Sequence, residues 1–235
     1  MQIYGLNKTT LLDYPGHVAA TVFTGSCNFR CPFCHNRDLV LKPSGQPLVE
    51  EKEVMDFLQK RKGIITGVCV TGGEPTLQPD LKQFLKKIKE IGLNVKLDTN
   101  GYRTEILRDV VESGIVDYVA MDMKSSKEEY ARAIGVEKSQ FILENIEKSV
   151  SYLIQSKIPY EFRTTVVKEL HTEKEIEEIG KWLKGCKAYY LQTYEENENV
   201  IKPGLHPCST EEMVKFSKIL EKYIKNVQFR GMDIK

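Results

Sequence analysis

Short β-branched and aromatic segments alternate with amphipathic helical segments along almost the whole chain. The seven predicted strands are residues 18–24, 67–71, 94–98, 118–123, 160–167, 188–193 and 227–230. Between them, apolar residues recur at spacings of three and four, which places them on one face of a helix. Strands joined through helices of this length pair in parallel. The pattern therefore predicts an α/β fold, built either as an open doubly wound sheet or as a full or partial barrel.

Helix starts and linkers indicate how the chain is divided. Thr172 and Thr210 each precede acidic residues, as helix N-caps do, and Glu175 completes a capping box with Thr172. No Gly-, Ser- or Pro-rich linker interrupts the chain. We therefore predict a single domain over residues 1–235, with residues 1–17 as an N-terminal extension.

Composition and charge exclude several classes of protein. The chain has 34 Lys and Arg residues against 33 Asp and Glu residues, which gives a formal charge of +1. This balance does not predict the broad cationic surface that is typical of proteins that bind nucleic acids or anionic membranes. No segment approaches the roughly 20 apolar residues of a membrane span. The first residues also lack the basic start and apolar centre of a secretory signal. We expect a cytoplasmic protein without nucleic-acid or membrane partners.

Three cysteines lie within eight residues, directly after the first predicted strand. They are Cys27, Cys31 and Cys34, at spacings that allow one loop to fold three thiolates around a metal centre. In α/β proteins, active sites lie at the C-terminal ends of parallel strands. The loop is therefore the leading candidate for a functional site.

Two kinds of metal centre agree with three thiolates in one loop. Iron-sulfur clusters normally use four cysteines, so three would leave one iron open to another ligand. A structural zinc site closes all four positions, so it would have to recruit His35, Cys69 or Cys208. Three buried structural thiols are the remaining alternative. The spacing favours the iron-sulfur cluster.

The cysteine loop resembles the signature of the radical S-adenosylmethionine (SAM) enzymes. Residues 27–34 have the spacing C-x3-C-x2-C, with the aromatic Phe33 before the last cysteine. Residues 71–75, Thr-Gly-Gly-Glu-Pro, end the second predicted strand and are similar to the superfamily's Gly-Gly-Glu motif, which holds the amino group of SAM. The resemblance implies two cofactors, SAM and a 4Fe-4S cluster. It places the cluster on Cys27, Cys31 and Cys34.

Further segments are similar to the glycyl-radical enzyme activases. Residues 34–38 resemble the segment that follows their cluster, 98–101 end the third predicted strand, and 122–124 end the fourth. Residues 8–16 look most like the activating proteins of anaerobic ribonucleoside-triphosphate reductase. The resemblance implies a partial (β/α)6 barrel of the TIM type, with mostly parallel strands and helices outside. It also implies a reaction in which SAM is cleaved reductively and a hydrogen is removed from a glycine of a partner enzyme.

The same resemblance implies a set of residues that bind SAM. This set is Phe33, His35, Gly72, Gly73, Glu74, Asn100, Met123, Lys124 and Arg163. Glu74 would hold the amino group, because a carboxylate is a charge-assisted acceptor for an ammonium. Lys124 and Arg163 would meet anionic or polar parts of SAM. Phe33 and His35 would lie near the adenine.

A possible third cofactor and the partners also follow from the resemblance. Asp98, Thr99 and Asp122 resemble a monovalent-cation site of the formate-lyase type of activase. The expected partner is a glycyl-radical enzyme, best matched by anaerobic ribonucleotide reductase, and the expected electron donor is a flavodoxin or ferredoxin. The alternatives are an activase of another such enzyme, for example formate lyase, and a radical SAM enzyme acting on a small molecule, such as a deazaguanine-forming cyclase. A zinc-stabilised binding protein is the third.

Overall fold

A computed structural model describes residues 1–232 of the chain. The strands are β1 (Ile3–Thr10), β2 (Ala19–Thr24), β3 (Gly67–Gly72), β4 (Asn94–Thr99), β5 (Tyr118–Asp122), β6 (Tyr160–Val166), β7 (Tyr189–Thr193) and β8 (Val227–Arg230). The α-helices are α1 (Arg37–Leu41), α2 (Glu51–Lys60), α3 (Leu81–Ile91), α4 (Thr104–Glu112), α5 (Tyr130–Ala133), α6 (Leu143–Gln155), α7 (Glu173–Trp182) and α8 (Thr210–Leu220). None of the helices in this described part of the chain is long and apolar enough to cross a membrane.

The residues form two compact units. The first contains Met1–Asn28 and Asn36–Ala120, and the second contains Phe29–His35 and the chain from Met121 onward. In the first unit β1 runs antiparallel to β2, while β2, β3 and β4 are parallel neighbours. In the second unit β6, β7 and β8 are parallel neighbours. All seven strands predicted from the sequence are present, with ends that differ by one residue at most.

The order of the strands distinguishes between the two predicted architectures. The sheet takes its eight described strands in chain order, from β1 to β8. A doubly wound sheet reverses its strand order at a switch point, whereas a barrel keeps chain order. The predicted α/β class with mostly parallel strands is therefore confirmed, and the order agrees with the predicted partial barrel.

Strand β1 was not predicted from the sequence, which assigned residues 1–17 to an extension without defined elements. Its first residue, Ile3, is fully buried, but the second half of the strand is polar and largely exposed. An edge strand has only one neighbour, so its pattern of apolar residues is weak. Pairing with β2 supplies the hydrogen bonds that make these residues a strand.

The two predicted helix starts have different outcomes. Thr172 is the N-cap of α7 and forms the predicted capping box with Glu175. The N-cap of α8 is Ser209 and not Thr210, one residue earlier than predicted. The Ser209 hydroxyl accepts from the N–H of Glu212 at 3.2 Å, and the Glu212 carboxylate accepts from the N–H of Ser209 at 2.7 Å. This capping box between Ser209 and Glu212 therefore determines where α8 starts.

Candidate active site

In the first unit, the Gly-Gly-Glu segment (residues 72–74) packs directly on the chain that leads to Cys27. The N–H of Glu74 donates to the carbonyl of Ser26 at 2.8 Å. A Cβ atom added to Gly73 would lie 2.0 Å from the Ser26 carbonyl oxygen, so no other residue fits without moving the backbone. The segment therefore holds the start of the cysteine loop in place.

Gly72 is needed for a similar reason. Its φ is +112°, and an added Cβ would lie 2.4 Å from the backbone nitrogen and oxygen of Thr24. Its carbonyl oxygen accepts a hydrogen bond from Nδ2 of Asn36 at 2.8 Å. Gly72 therefore connects the end of β3 to Thr24, which precedes the cysteine loop, and to Asn36, which follows it. All three residues belong to the first unit.

Glu74 is a buried hydrogen-bond centre, only 1% exposed. Its Oε1 accepts from the N–H and the hydroxyl of Thr76, at 3.0 and 2.5 Å, and from the hydroxyl of Thr99 at 2.8 Å. Its Oε2 accepts from the N–H of Asn100 at 2.7 Å. Burial raises the pKa of the carboxyl, and these hydrogen bonds offset only part of the increase. Since Oε2 has a single protein donor, it is the oxygen with capacity for a further one.

Asn100 connects Glu74 to the first cysteine. Its Nδ2 donates to Oδ1 of Asn28 at 2.8 Å and lies 3.8 Å from Sγ of Cys27, within hydrogen-bonding range of a sulfur. Hydrogen bonds to thiolate sulfurs tune the reduction potential of an iron-sulfur cluster. The structure thus brings three predicted residues of the first unit, Cys27, Glu74 and Asn100, into one connected group.

In the second unit, the cysteine loop residues 29–35 are anchored by the turn after α5. The N–H of Arg30 donates to the carbonyl of Ile134 at 2.8 Å. Gly135 follows with a φ of +65°, and an added Cβ there would lie 2.2 Å from the carbonyl oxygen of Arg30. This close approach requires glycine and fixes the backbone just before Cys31.

Asp122 is paired with two cations at the end of β5. Its Oδ1 accepts from Nε of Arg163 at 2.5 Å, and its Oδ2 accepts from Nζ of Lys124 at 2.9 Å. Burial alone would raise the pKa of Asp122, but the charges of Arg163 and Lys124 outweigh it and hold that pKa well below its ordinary value. Burial would lower the pKa of Lys124, but Asp122 and the thiolates of Cys31 and Cys34 raise it. Lys124 is therefore a stable ammonium beside two of the cysteines.

Three side chains that the sequence analysis did not select hold the backbone of residues 122–124. Tyr130 Oη, Thr164 Oγ1 and His171 Nε2 each donate to one of the three successive carbonyls, at 3.4, 2.7 and 3.0 Å. None of the three belongs to a sequence motif. Only the structure identifies them, through the burial and the direction of their side chains. They fix the segment that contains the predicted residues Met123 and Lys124.

The buried His171 is expected to make the stability of the folded protein depend on pH. The N–H of Val167 donates to its Nδ1 at 2.9 Å, so the ring is neutral with its proton on Nε2. Burial lowers the pKa of His171 below 6.5, and its backbone hydrogen bonds to Lys124 and Val167 only partly oppose this. A histidine with a lowered folded pKa stabilises the protein fully above its unfolded pKa, and the contribution is lost as the pH falls through the folded pKa.

We therefore expect the free energy of unfolding to decrease as the pH falls below about 6.5, the ordinary pKa of histidine, and the His171→Gln variant to show a smaller decrease. Urea unfolding at a series of pH values measures both slopes. Equal slopes for wild type and His171→Gln would contradict the assignment of a buried neutral ring.

The two predicted adenine neighbours lie in the second unit. Phe33 is buried, and Nζ of Lys124 lies 5.7 Å from the centre of its ring, a cation–π distance. His35 stacks on Tyr194, with ring centres 5.5 Å apart and planes inclined by 9°. Its Nε2 lies 2.6 Å from the carbonyl oxygen of Glu195, so this nitrogen carries the proton.

Two of the three residues that a zinc site would recruit, Cys69 and Cys208, are buried. Cys69 is fully buried in β3, with its Sγ 3.7 Å from Nζ of Lys96. Burial raises the pKa of Cys208 to about 11, which keeps it a thiol. Across residues 1–232, no three His, Cys, Asp or Glu side chains converge as a single-ion site requires.

Buried hydroxyls at the ends of β5 and β7 are available for a polar ligand. Among the described residues of the second unit, Ser125 Oγ, Thr193 Oγ1 and Tyr194 Oη are buried without a hydrogen-bond partner. Buried polar atoms normally have partners, so these hydroxyls have the capacity to pair with a bound polar group or with water. Together with the thiols of Cys31 and Cys34 and the cations Lys124 and Arg163 of the same unit, they form a donor set that fits an iron-sulfur cluster and a charged, nucleoside-containing ligand.

Comparison with known proteins identifies the class. The model of the Radical SAM superfamily matches residues 21–183, more than half of the chain. This chain therefore belongs to the radical SAM superfamily. The crystal structure of a radical SAM methyltransferase from Sphaerobacter thermophilus has the same fold, with a TM-score of 0.70 at 17% identity, over 92% of this chain and 67% of that chain.

Relatives of nearly equal length identify the family within that class. A protein of Methanocaldococcus jannaschii named as a glycyl-radical enzyme activating enzyme is 32% identical over 236 residues, 98% of this chain and 96% of that protein. The pyruvate formate-lyase 1-activating enzyme of Escherichia coli is 25% identical over 249 residues, 97% of this chain and 98% of that protein. Within the superfamily, the chain belongs to the glycyl-radical enzyme activating enzymes.

Membership of this family has direct chemical consequences. The chain is an enzyme that uses SAM and a 4Fe-4S cluster. When bound, the cluster supplies the electron that cleaves SAM. The predictions of the family and of the enzyme class are confirmed.

Proposed function

We propose that this chain activates anaerobic ribonucleoside-triphosphate reductase by removing a hydrogen atom from one of its glycines. The observation that carries the choice of partner is the segment of residues 8–16, Lys-Thr-Thr-Leu-Leu-Asp-Tyr-Pro-Gly, which resembles the activating proteins of that reductase. In the structure this segment begins in the last residues of β1 and continues beyond it, and two of its residues, Leu11 and Leu12, are largely exposed. We further propose a flavodoxin or ferredoxin as the electron donor.

The chain's own residues would divide the work between cluster and SAM. Cys27, Cys31 and Cys34 would hold the cluster as thiolates, and the ammonium of Lys124 would offset part of their negative charge. Asn100 would donate a hydrogen bond to the sulfur of Cys27. Each of these contacts favours the thiolate, the form in which cysteine binds a metal.

Other residues would orient SAM. Glu74 would accept the amino group through Oε2, because that oxygen has only one protein donor. Arg163, whose Nε is held by Asp122, would meet a polar or anionic part of SAM. Phe33 and His35 would lie near the adenine, for which their flat rings offer stacking faces. The backbone of Gly72 and Gly73 would keep the Gly-Gly-Glu segment close to the cysteine loop.

A second partner is supported by a separate observation. The full-length similarity to the pyruvate formate-lyase 1-activating enzyme makes formate lyase the alternative protein substrate. Both candidate partners are glycyl-radical enzymes, so the same chemistry at this site would serve either. They differ in the surface that must dock on this chain, and that difference can be measured.

The test is the transfer of a radical to candidate partners. The full chain, reconstituted with iron and sulfide under anaerobic conditions, is incubated with SAM, a chemical reductant and either anaerobic ribonucleotide reductase or pyruvate formate-lyase. We expect a glycyl EPR doublet on the reductase, with 5′-deoxyadenosine formed in step with it. A reductase with the radical glycine replaced by alanine is the control, and it is expected to give no doublet.

Two results would contradict the proposal. A doublet on formate lyase but none on the reductase would assign the formate-lyase partner. Turnover of a small purine-like compound without a doublet on either enzyme would assign the chain to small-molecule chemistry.

A further inference from the structure

Lys96 is a lysine buried inside the first unit. It lies on β4 and is 1% exposed, and its ammonium contacts Oδ1 of Asp98, which is itself only 8% exposed. Its Nζ also lies 3.7 Å from Sγ of Cys69, the residue aligned with it on β3. Lysine is almost never fully buried unless its charge is paired. The sheet register therefore fixes one positive charge beside Asp98.

This arrangement does not fit the monovalent cation that the resemblance implied at Asp98, Thr99 and Asp122. Asp98 already holds the ammonium of Lys96. The hydroxyl hydrogen of Thr99 is directed to Oε1 of Glu74, at 2.8 Å. A cation placed against Asp98 would therefore meet another cation at short distance, in surroundings where charges are poorly screened.

The other predicted ligand is also occupied by protein cations. Both carboxylate oxygens of Asp122 are paired, one with Arg163 at 2.5 Å and the other with Lys124 at 2.9 Å. Two positive groups on one carboxylate leave an excess of positive charge, which repels a further cation. Each carboxylate of the implied cation site is thus neutralised within its own unit.

We propose that the ammonium of Lys96 is the built-in monovalent cation of this enzyme, so that no alkali cation is required at Asp98. Lys96 then acts as a positioning residue. It holds Asp98 at the end of β4, and the next two residues, Thr99 and Asn100, donate to the carboxylate of Glu74. A tethered ammonium, unlike a dissolved ion, cannot diffuse away, so its charge stays beside Asp98 whatever the salt composition.

The test removes the charge and asks whether a dissolved cation replaces it. Lys96→Met keeps roughly the length of the side chain and removes the positive charge beside the buried Asp98. In choline chloride, the cluster-loaded variant is expected to unfold at a lower temperature than wild type. Potassium or ammonium chloride at the same ionic strength is expected to raise its Tm by roughly 5 °C, as a bound ligand would, and to change the wild-type Tm by less than about 1 °C.

A second measurement links the charge to the site and rests on the proposed role of Glu74 in binding SAM. For Lys96→Met, the Kd of SAM is expected to be about tenfold higher in choline chloride than in potassium chloride. Wild type is expected to show the same Kd in both salts, because its buried charge pair is intact. If SAM binding fails in every protein, the role of Glu74 is wrong, and the Tm measurement still decides the role of Lys96.

Matched variants separate this effect from general damage. Lys89→Met breaks a partly exposed ion pair with Asp117 in the same unit and is expected to show no preference for potassium over choline. The double variant Lys96→Met with Asp98→Asn removes both buried charges, so it is expected to fold and to lose the potassium response. The proposal is overturned if wild type needs potassium for stability or SAM binding, or if the double variant responds like Lys96→Met. It is equally overturned if Lys96→Met responds to choline and potassium alike.

Discussion

Replacing Cys31 by alanine is expected to abolish the iron content and the SAM cleavage of the reconstituted protein. Wild type should hold about four irons per chain, because the family's cluster is a 4Fe-4S centre held here by three thiolates. Cys31 is one of two cysteines whose thiolates raise the pKa of Lys124, so its loss also removes part of the charge balance around that ammonium. Cys27→Ala and Cys34→Ala are expected to have the same effect.

Cys186 is the matched control for this experiment. It is buried, and burial raises the pKa of its thiol to about 12, so it remains protonated and unsuited to bind iron. Cys186→Ala is therefore expected to keep the full iron content and SAM cleavage. Iron and sulfide analysis and measurement of 5′-deoxyadenosine give the results. Stoichiometric zinc in a fully active protein, or unchanged iron in Cys31→Ala, would refute the cluster assignment.

The Glu74→Ala variant is expected to lose both SAM cleavage and stability. Four hydrogen bonds from Thr76, Thr99 and Asn100 end on this buried carboxylate, and the alanine variant leaves their donors without an acceptor. The two hydroxyls can rotate toward other acceptors, whereas the N–H groups of Thr76 and Asn100 cannot. Each orphaned buried donor costs about 1–3 kcal/mol, so we expect these two N–H groups to lower the free energy of unfolding by about 2–6 kcal/mol. Activity is expected to fall by about 100-fold or more, as the ammonium of SAM loses its charged acceptor.

Glu74→Gln separates the two effects. The amide keeps one acceptor oxygen for Thr76 and Thr99 but places an NH2 group against the N–H of Asn100, so we expect a smaller loss of about 1–3 kcal/mol. Because the negative charge is absent, the loss in SAM affinity should remain close to that of Glu74→Ala. Urea unfolding and SAM titration measure the two quantities. Glu53→Ala on the exposed face of α2 is the control and should change stability by less than about 0.5 kcal/mol. Normal SAM cleavage by both Glu74 variants would show that the carboxylate does not bind SAM.

The sequence predicted the elements of the fold because their signals are local. Each predicted strand is a short run of β-branched and aromatic residues that is bounded by turn residues, and such runs end within one residue of the strand ends in the structure. The capping box of Thr172 and Glu175 is equally local, since both residues lie within one helical turn. The three-cysteine spacing and the Gly-Gly-Glu segment also lie within a few residues each. These patterns were sufficient for the predicted family, which the comparisons confirmed.

What the tertiary structure decided depends on residues that are distant in sequence. Parallel strands have the same composition in a barrel and in a doubly wound sheet, so only pairing reveals the chain order of the strands. Strand β1 exists because the edge of β2 accepts it. Lys96 lies between the apolar residues Val95 and Leu97, a pattern that agrees with an exposed lysine as well as with a buried one. The burial of Lys96 against Asp98 depends on the neighbouring strands. His171 likewise has a role only because folding brings it to the carbonyl of Lys124, 47 positions away. Local patterns thus specify which elements form and which chemistry they carry, while burial and charge pairing are set by contacts that exist only after the chain has folded.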